Sequence, residues 1–101
     1  MKYFVIGDQD TVMGFRFAGV QGQVVDTPSD AAKALDKALQ DEQLGIVIMT
    51  ERTAAAIRDK VDTLIFERPL PVIVEIPDRT GPLAGRKTLM ELIRQAVGVG
   101  V

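Results

Sequence analysis

The sequence predicts an α/β fold built on a small parallel sheet, and three observations carry the prediction. Short apolar runs rich in β-branched residues recur along the chain, each stopped by glycine, proline or a polar cluster. Between them lie segments with apolar residues at helical spacing, opened by capping residues. Strand and helix alternate strictly, the pattern of βαβ units whose right-handed crossovers make a sheet parallel.

The first strand is Tyr3-Phe4-Val5-Ile6, which reads as fully buried and stops at Gly7. A helix follows, capped by Asp10 or Thr11, with Val12, Phe15 and Ala18 at its spacing and Gly19 ending it. The second strand, Gln23-Val24-Val25-Asp26, is short and polar-flanked, which suits a sheet edge. Thr27-Pro28-Ser29-Asp30 opens the second helix, with Thr27 as N-cap and Pro28 at the first helical position. Ala32, Leu35 and Leu39 form its expected buried stripe, and it should end near Asp41 to Leu44.

Ile46-Val47-Ile48-Met49 is uninterrupted apolar and therefore central, covered on both faces. Thr50 caps a third helix, with Glu51 in its first turn and Ala54, Ile57, Val61, Leu64 and Ile65 on one face. Pro69 and Pro71 end that helix, and Val72 to Ile76 form the fourth strand before Pro77. The most economical strand order is 2-1-3-4, with the polar-flanked second strand on one edge. Residues 1–78 then form an α/β domain. Residues 79–101 form a Gly/Pro-bearing linker and a last helix over about Arg86 to Val97, with a tail that should fray.

Composition narrows the function. The chain has 101 residues, no Cys, no His and a net charge of −2, so it has neither the thiol nor the imidazole on which most hydrolase and zinc sites depend. A nearly neutral, slightly acidic chain gives no electrostatic footprint for nucleic acid or an anionic membrane. The first strand opens directly after Met1-Lys2, so no secretory leader is expected, and no apolar run reaches the roughly 20 residues of a membrane span. A cytoplasmic protein is expected. Asn is absent along with Cys, a compositional trend of heat-adapted proteins.

Several local patterns imitate chemistry. Asp8 and Asp10 follow the first strand, where paired acids hold Mg²⁺ in phospho-receiver domains. That chemistry also needs an acceptor aspartate after the third strand and a lysine after a later one; Met49-Thr50-Glu51 and Glu75-Ile76-Pro77 supply neither. Both acids read instead as cap and turn residues. Gly81-Pro82-Leu83-Ala84-Gly85-Arg86-Lys87-Thr88 resembles a phosphate-binding loop, but Arg86 separates the second glycine from the lysine and Pro82 removes a backbone donor. No Gly-x-Gly-x-x-Gly follows the first strand, and Ser29 has no histidine to activate it. No catalytic, cofactor-binding or metal-binding residues are assigned.

The last helix is different. Leu89, Met90, Leu92, Ile93, Ala96 and Val97 cover a stripe on the order of 160° wide, broader than a surface helix needs. Leu89, Leu92, Ile93 and Ala96 share one face and are the candidate partner-binding residues, the rival role being a cover for the chain's own sheet.

Gly7 to Gly19, Ile46 to Ala54 and Pro71 to Pro77 together resemble the three signature blocks of the F subunit of the V-type/A-type ATP synthase, in that family's order and at its length. Two departures are Phe17 in place of the usual leucine and Asp78 in place of a common serine. The resemblance implies a receiver/flavodoxin-like domain with a mobile C-terminal helix, in a non-catalytic, cofactor-free component of the rotor's central stalk. Its implied partners are the coiled-coil D subunit of the stalk and the A and B subunits of the ring, at the cytoplasmic side of the membrane without insertion into it. The complex so implied couples ATP hydrolysis or synthesis to ion translocation. The alternative reading is a receiver-like signalling domain.

Overall fold

A computed structural model describes residues 1–78 and Gly81. Four strands, β1 (Lys2–Gly7), β2 (Gln21–Val24), β3 (Leu44–Thr50) and β4 (Val72–Ile76), form one parallel sheet in the order β2-β1-β3-β4. Between them run α1 (Gln9–Phe17), α2 (Pro28–Ala38), α3 (Glu51–Ala56) and α4 (Arg58–Glu67). The expected topology is observed. Apart from Gly81, the expected linker and last helix, with Leu89, Leu92, Ile93 and Ala96, lie outside the described residues.

The cap of α1 is Asp8, not Asp10 or Thr11. Its carboxylate accepts the Thr11 N–H at 3.1 Å and the Thr11 hydroxyl at 2.6 Å, so Thr11 is the donor of the motif and Asp10 falls in the first turn. The helix ends in a Schellman arrangement: Val20 N–H reaches Phe15 O at 3.0 Å and Gly19 N–H reaches Arg16 O at 2.9 Å. Gly19 sits at φ +89°, a conformation that an L side chain disfavours.

Thr27 caps α2 as expected, accepting from the Asp30 N–H at 3.1 Å with Pro28 next in line. The buried stripe of α2 is rotated from the expected one, to Ala31, Ala34, Leu35 and Ala38, leaving Ala32 and Leu39 half-buried. The small side chains face inward because they let α2 approach the sheet closely, so Leu35 alone supplies bulk. The helix stops earlier than expected because the Asp41 carboxylate accepts the Gln43 N–H at 2.9 Å, closing an Asx turn that lets β3 begin at Leu44.

The expected third helix is two helices. Ile57, at φ −130° and ψ 41°, breaks it, with its side chain packed against the core. The break resets the helical phase: Val61 is buried and Leu64 partly so, while Ile65, expected on the buried face, is turned toward solvent.

Strand register divides the side chains into two faces. Phe4, Ile6, Val47, Met49 and Ile73 share one face and pack against Ala34, Leu35, Ala54 and Val61 in a single core beneath α2, α3 and α4. Tyr3, Val5, Ile46, Ile48, Val72 and Val74 share the other, over which α1 brings Val12 above Val5. Gly22 lies beneath that helix, and a Cβ there would fall 2.7 Å from Val5 O and against the Val5 side chain.

Candidate functional site

Open α/β sheets keep ligand sites at the carboxyl ends of their strands, so that end comes first. Asp8 is there, with burial pushing its carboxyl up but the Thr11 hydroxyl and N–H outweighing it, so that it titrates below the ordinary carboxylate range. Across from it, Asp78 is held by Arg52 Nε at 3.2 Å and its carbonyl accepts the Gly81 N–H at 2.9 Å. At the end of β3, where a receiver domain places its acceptor, stands Thr50. Its Oγ1 caps α3 by accepting the Thr53 N–H at 3.1 Å and lies 2.7 Å from the Thr53 hydroxyl. Among the described residues no three acidic groups come close enough to hold a metal ion. Asp8 and Thr50 serve this end as helix caps and Asp78 as a loop tie.

The second feature is the sheet face beneath α1. With right-handed crossovers and the order 2-1-3-4, the β1–β2 crossover puts α1 on one face, while the next two put α2, α3 and α4 on the other. One helix cannot cover four strands. Val72 is 48%, Val74 40% and Tyr3 50% exposed, and Ile46 and Ile48 beside them are half-buried. Tyr3, expected to be buried, is not, because no described element lies above it. Parallel strands are ordinarily covered on both faces, and among the described residues α1 alone lies on this one.

The third feature is the outer edge at β2. Val25 N–H donates to Gly7 O at 2.9 Å, so by strand alternation the carbonyls of Gly22 and Val24 point away from the sheet. Both are occupied: Arg16 Nη2 donates to Gly22 O at 3.1 Å and Gln23 Nε2 to Val24 O at 3.3 Å. These side chains blunt an edge that would otherwise template another strand. Beside the edge runs a groove of about 630 Å³, lined among others by Phe4, Arg16, Lys37, Ala38, Asp41 and Leu44.

The partner-binding residues expected from sequence lie on the last helix, outside the described residues, and the same reading leaves Tyr3, Val72 and Val74 without a role. The signal for them is present in the sequence, since the strand order and crossover hand together leave α1 the one described helix on its face.

The described residues thus form a small α/β domain on one parallel sheet, whose strand-end acids Asp8 and Asp78 cap a helix and tie a loop. Residues 4–93 match the family of the ATP synthase (F/14-kDa) subunit. The chain is 40% identical over 104 residues to the F subunit of the A-type ATP synthase of Thermococcus kodakarensis, covering 98% of this chain and 96% of that protein. It is 41% identical over 98 residues to the F subunit of the A-type ATP synthase of Methanothermobacter thermautotrophicus, covering 94% and 91% of the two chains. In three dimensions it resembles the crystal structure of the V-type ATP synthase F subunit from Archaeoglobus fulgidus, with a TM-score of 0.66 and 26% identity, over 74% of this chain and 95% of that one. The chain belongs to the family of A-type/V-type ATP synthase F subunits, whose members are non-catalytic components of that complex.

Proposed function

We propose that this chain is a central-stalk component of a rotary ATP synthase, which helps couple ATP hydrolysis or synthesis in a ring of A and B subunits to ion translocation. Family membership across residues 4–93 carries the reading. It is supported by Asp8 and Asp78, which cap a helix and tie a loop, and by an apolar sheet face that the described helices leave partly exposed. In this proposal residues 1–78 are the docking domain, and the segment 79–101 carries a helix that meets the D subunit of the stalk or the ring through Leu89, Leu92, Ile93 and Ala96. No helix among the described residues is long and apolar enough to cross a membrane, which suits a component of the complex's peripheral part.

Burying one leucine or isoleucine side chain contributes roughly 1.5–3 kcal/mol, so an acidic group at the centre of that stripe removes much of a small interface's energy. The test is Ile93→Asp in the full chain. The expected result is an unchanged thermal midpoint with affinity for the D subunit, or stimulation of ATP hydrolysis by the assembled complex, reduced about tenfold or more. A destabilised monomer with an intact complex would instead place the stripe on the chain's own sheet. Phosphorylation of Asp8 or Asp10 by a small phosphodonor with Mg²⁺ would restore the signalling alternative.

A further inference from the structure

We infer that the groove beside β2 is a second docking site, shaped and charged for an acidic helix of a neighbouring protein in the complex, seated alongside α2. The inference rests on the family reading only in requiring that the chain assemble with other components of an ATP synthase.

The space comes first. On the face shared by Phe4, Ile6 and Met49, α2 packs over β1, and Gln21 and Gln23 of β2 are exposed on that side. The groove between α2 and the sheet edge is about 630 Å³, with an apolar floor from Phe4, Ala38 and Leu44. A helix beside α2 would complete the layer, since helices packed side by side sit about 8–10 Å apart. Ala34 of α2 lines the groove as well.

The charge comes next. Arg16 and Lys37 stand among the lining residues, Arg16 on α1 and Lys37 on the last turn of α2. Among the described residues neither lies within ion-pair distance of a carboxylate, and Arg16 is engaged by the Gly22 carbonyl instead. The acid in the groove, Asp41, is neutralised by Lys2 Nζ at 3.1 Å. Among the described residues the groove thus carries two cations without a carboxylate partner around an apolar floor, in a chain of net charge −2. A partner that places carboxylates at both cations and an aliphatic side chain between them complements it.

The conformation of the occupant follows from the edge. The outward carbonyls of β2 are already taken by Arg16 and Gln23, so an added strand would have to displace both. A helix, whose backbone satisfies itself, needs no edge.

The experiment measures binding of the full chain to the soluble ATP synthase assembly prepared without it, at low and high salt. Lys37 makes no side-chain hydrogen bond or ion pair among the described residues, so Lys37→Glu should keep the wild-type thermal midpoint to within a few degrees; the Arg16→Glu/Lys37→Glu pair is the stronger variant. The expected result is a loss of about tenfold for the pair and several-fold for Lys37→Glu at low salt, with both converging on wild type as salt screens the contact. Equal affinities and equal salt slopes for wild type and the folded Lys37→Glu protein would overturn the inference. Ile93→Asp losing affinity in the same assay would then leave the stalk reading standing without this groove. Calorimetric binding of ADP or ATP to the isolated chain, abolished by Lys37→Glu, would also overturn it, in favour of a small-anion site.

Discussion

Replacing Asp8 with alanine removes the cap of α1, and the structure fixes what that should do. The carboxylate accepts two hydrogen bonds from Thr11, through its N–H at 3.1 Å and its hydroxyl at 2.6 Å, at the positive end of a nine-residue helix. Loss of a cap costs about 1 kcal/mol within a range of 0.5–2, and the second hydrogen bond moves the expectation to about 1.5 kcal/mol. In a domain of this size that is a fall in melting temperature of roughly 6–12 °C. The pH dependence has a definite sign. The folded-state carboxyl titrates below its ordinary value of 3.8, so its stabilisation is fully present above that value and is lost as pH falls through the lower folded one. Melting temperatures of wild type and Asp8→Ala should therefore differ by a constant amount from pH 7 to about 5 and converge below about pH 4. Asp8→Asn, which keeps a good capping group, should recover most of the loss at about pH 7. A silent Asp8→Ala beside a destabilising Asp10→Ala would refute the assignment. So would a difference that persists undiminished at about pH 2.5.

Gly22→Ala should destabilise by about 2 kcal/mol or more, measured by urea unfolding, because the new methyl group would lie 2.7 Å from Val5 O beneath α1. Leu35→Ala should cost about 2–5 kcal/mol in the same assay, since Leu35 is fully buried and supplies the bulk of α2's inner face. Arg58 donates to both oxygens of Glu75, one at 2.9 Å, and that carboxylate is only 12% exposed. Arg58→Ala should therefore cost about 2 kcal/mol by leaving the acid without this partner, whereas Lys2→Ala, which breaks an exposed pair with Asp41, should leave the urea midpoint close to that of wild type.

The architecture was legible because each strand and each cap carries its own local signal. Thr27-Pro28 and Thr50-Glu51 open their helices where expected, and the apolar β3 takes the central position. What failed was phase. Asp8 and Asp10 are both acceptable caps by type, and only the path of the chain out of β1 selects between them. The stripe of α2 turned because an alanine-rich helix offers several inward faces, and its closest approach to the sheet decides among them. The helix break at Ile57 has no proline or glycine to announce it; burial of that side chain is a tertiary event. The open sheet face needed no finer local reading, only the crossover hand applied to the strand order, which leaves Tyr3, Val72 and Val74 beneath no described helix.

We propose that residues 1–78 form a complete domain and that the remaining residues serve attachment within the ATP synthase. Truncation after Asp78 tests it in one preparation, by following the thermal transition of the shortened chain and its stimulation of ATP hydrolysis in the reconstituted complex. A cooperative transition is expected, with stimulation reduced about tenfold or more. A shortened chain that melts without cooperativity, or one that folds and still stimulates fully, would contradict it.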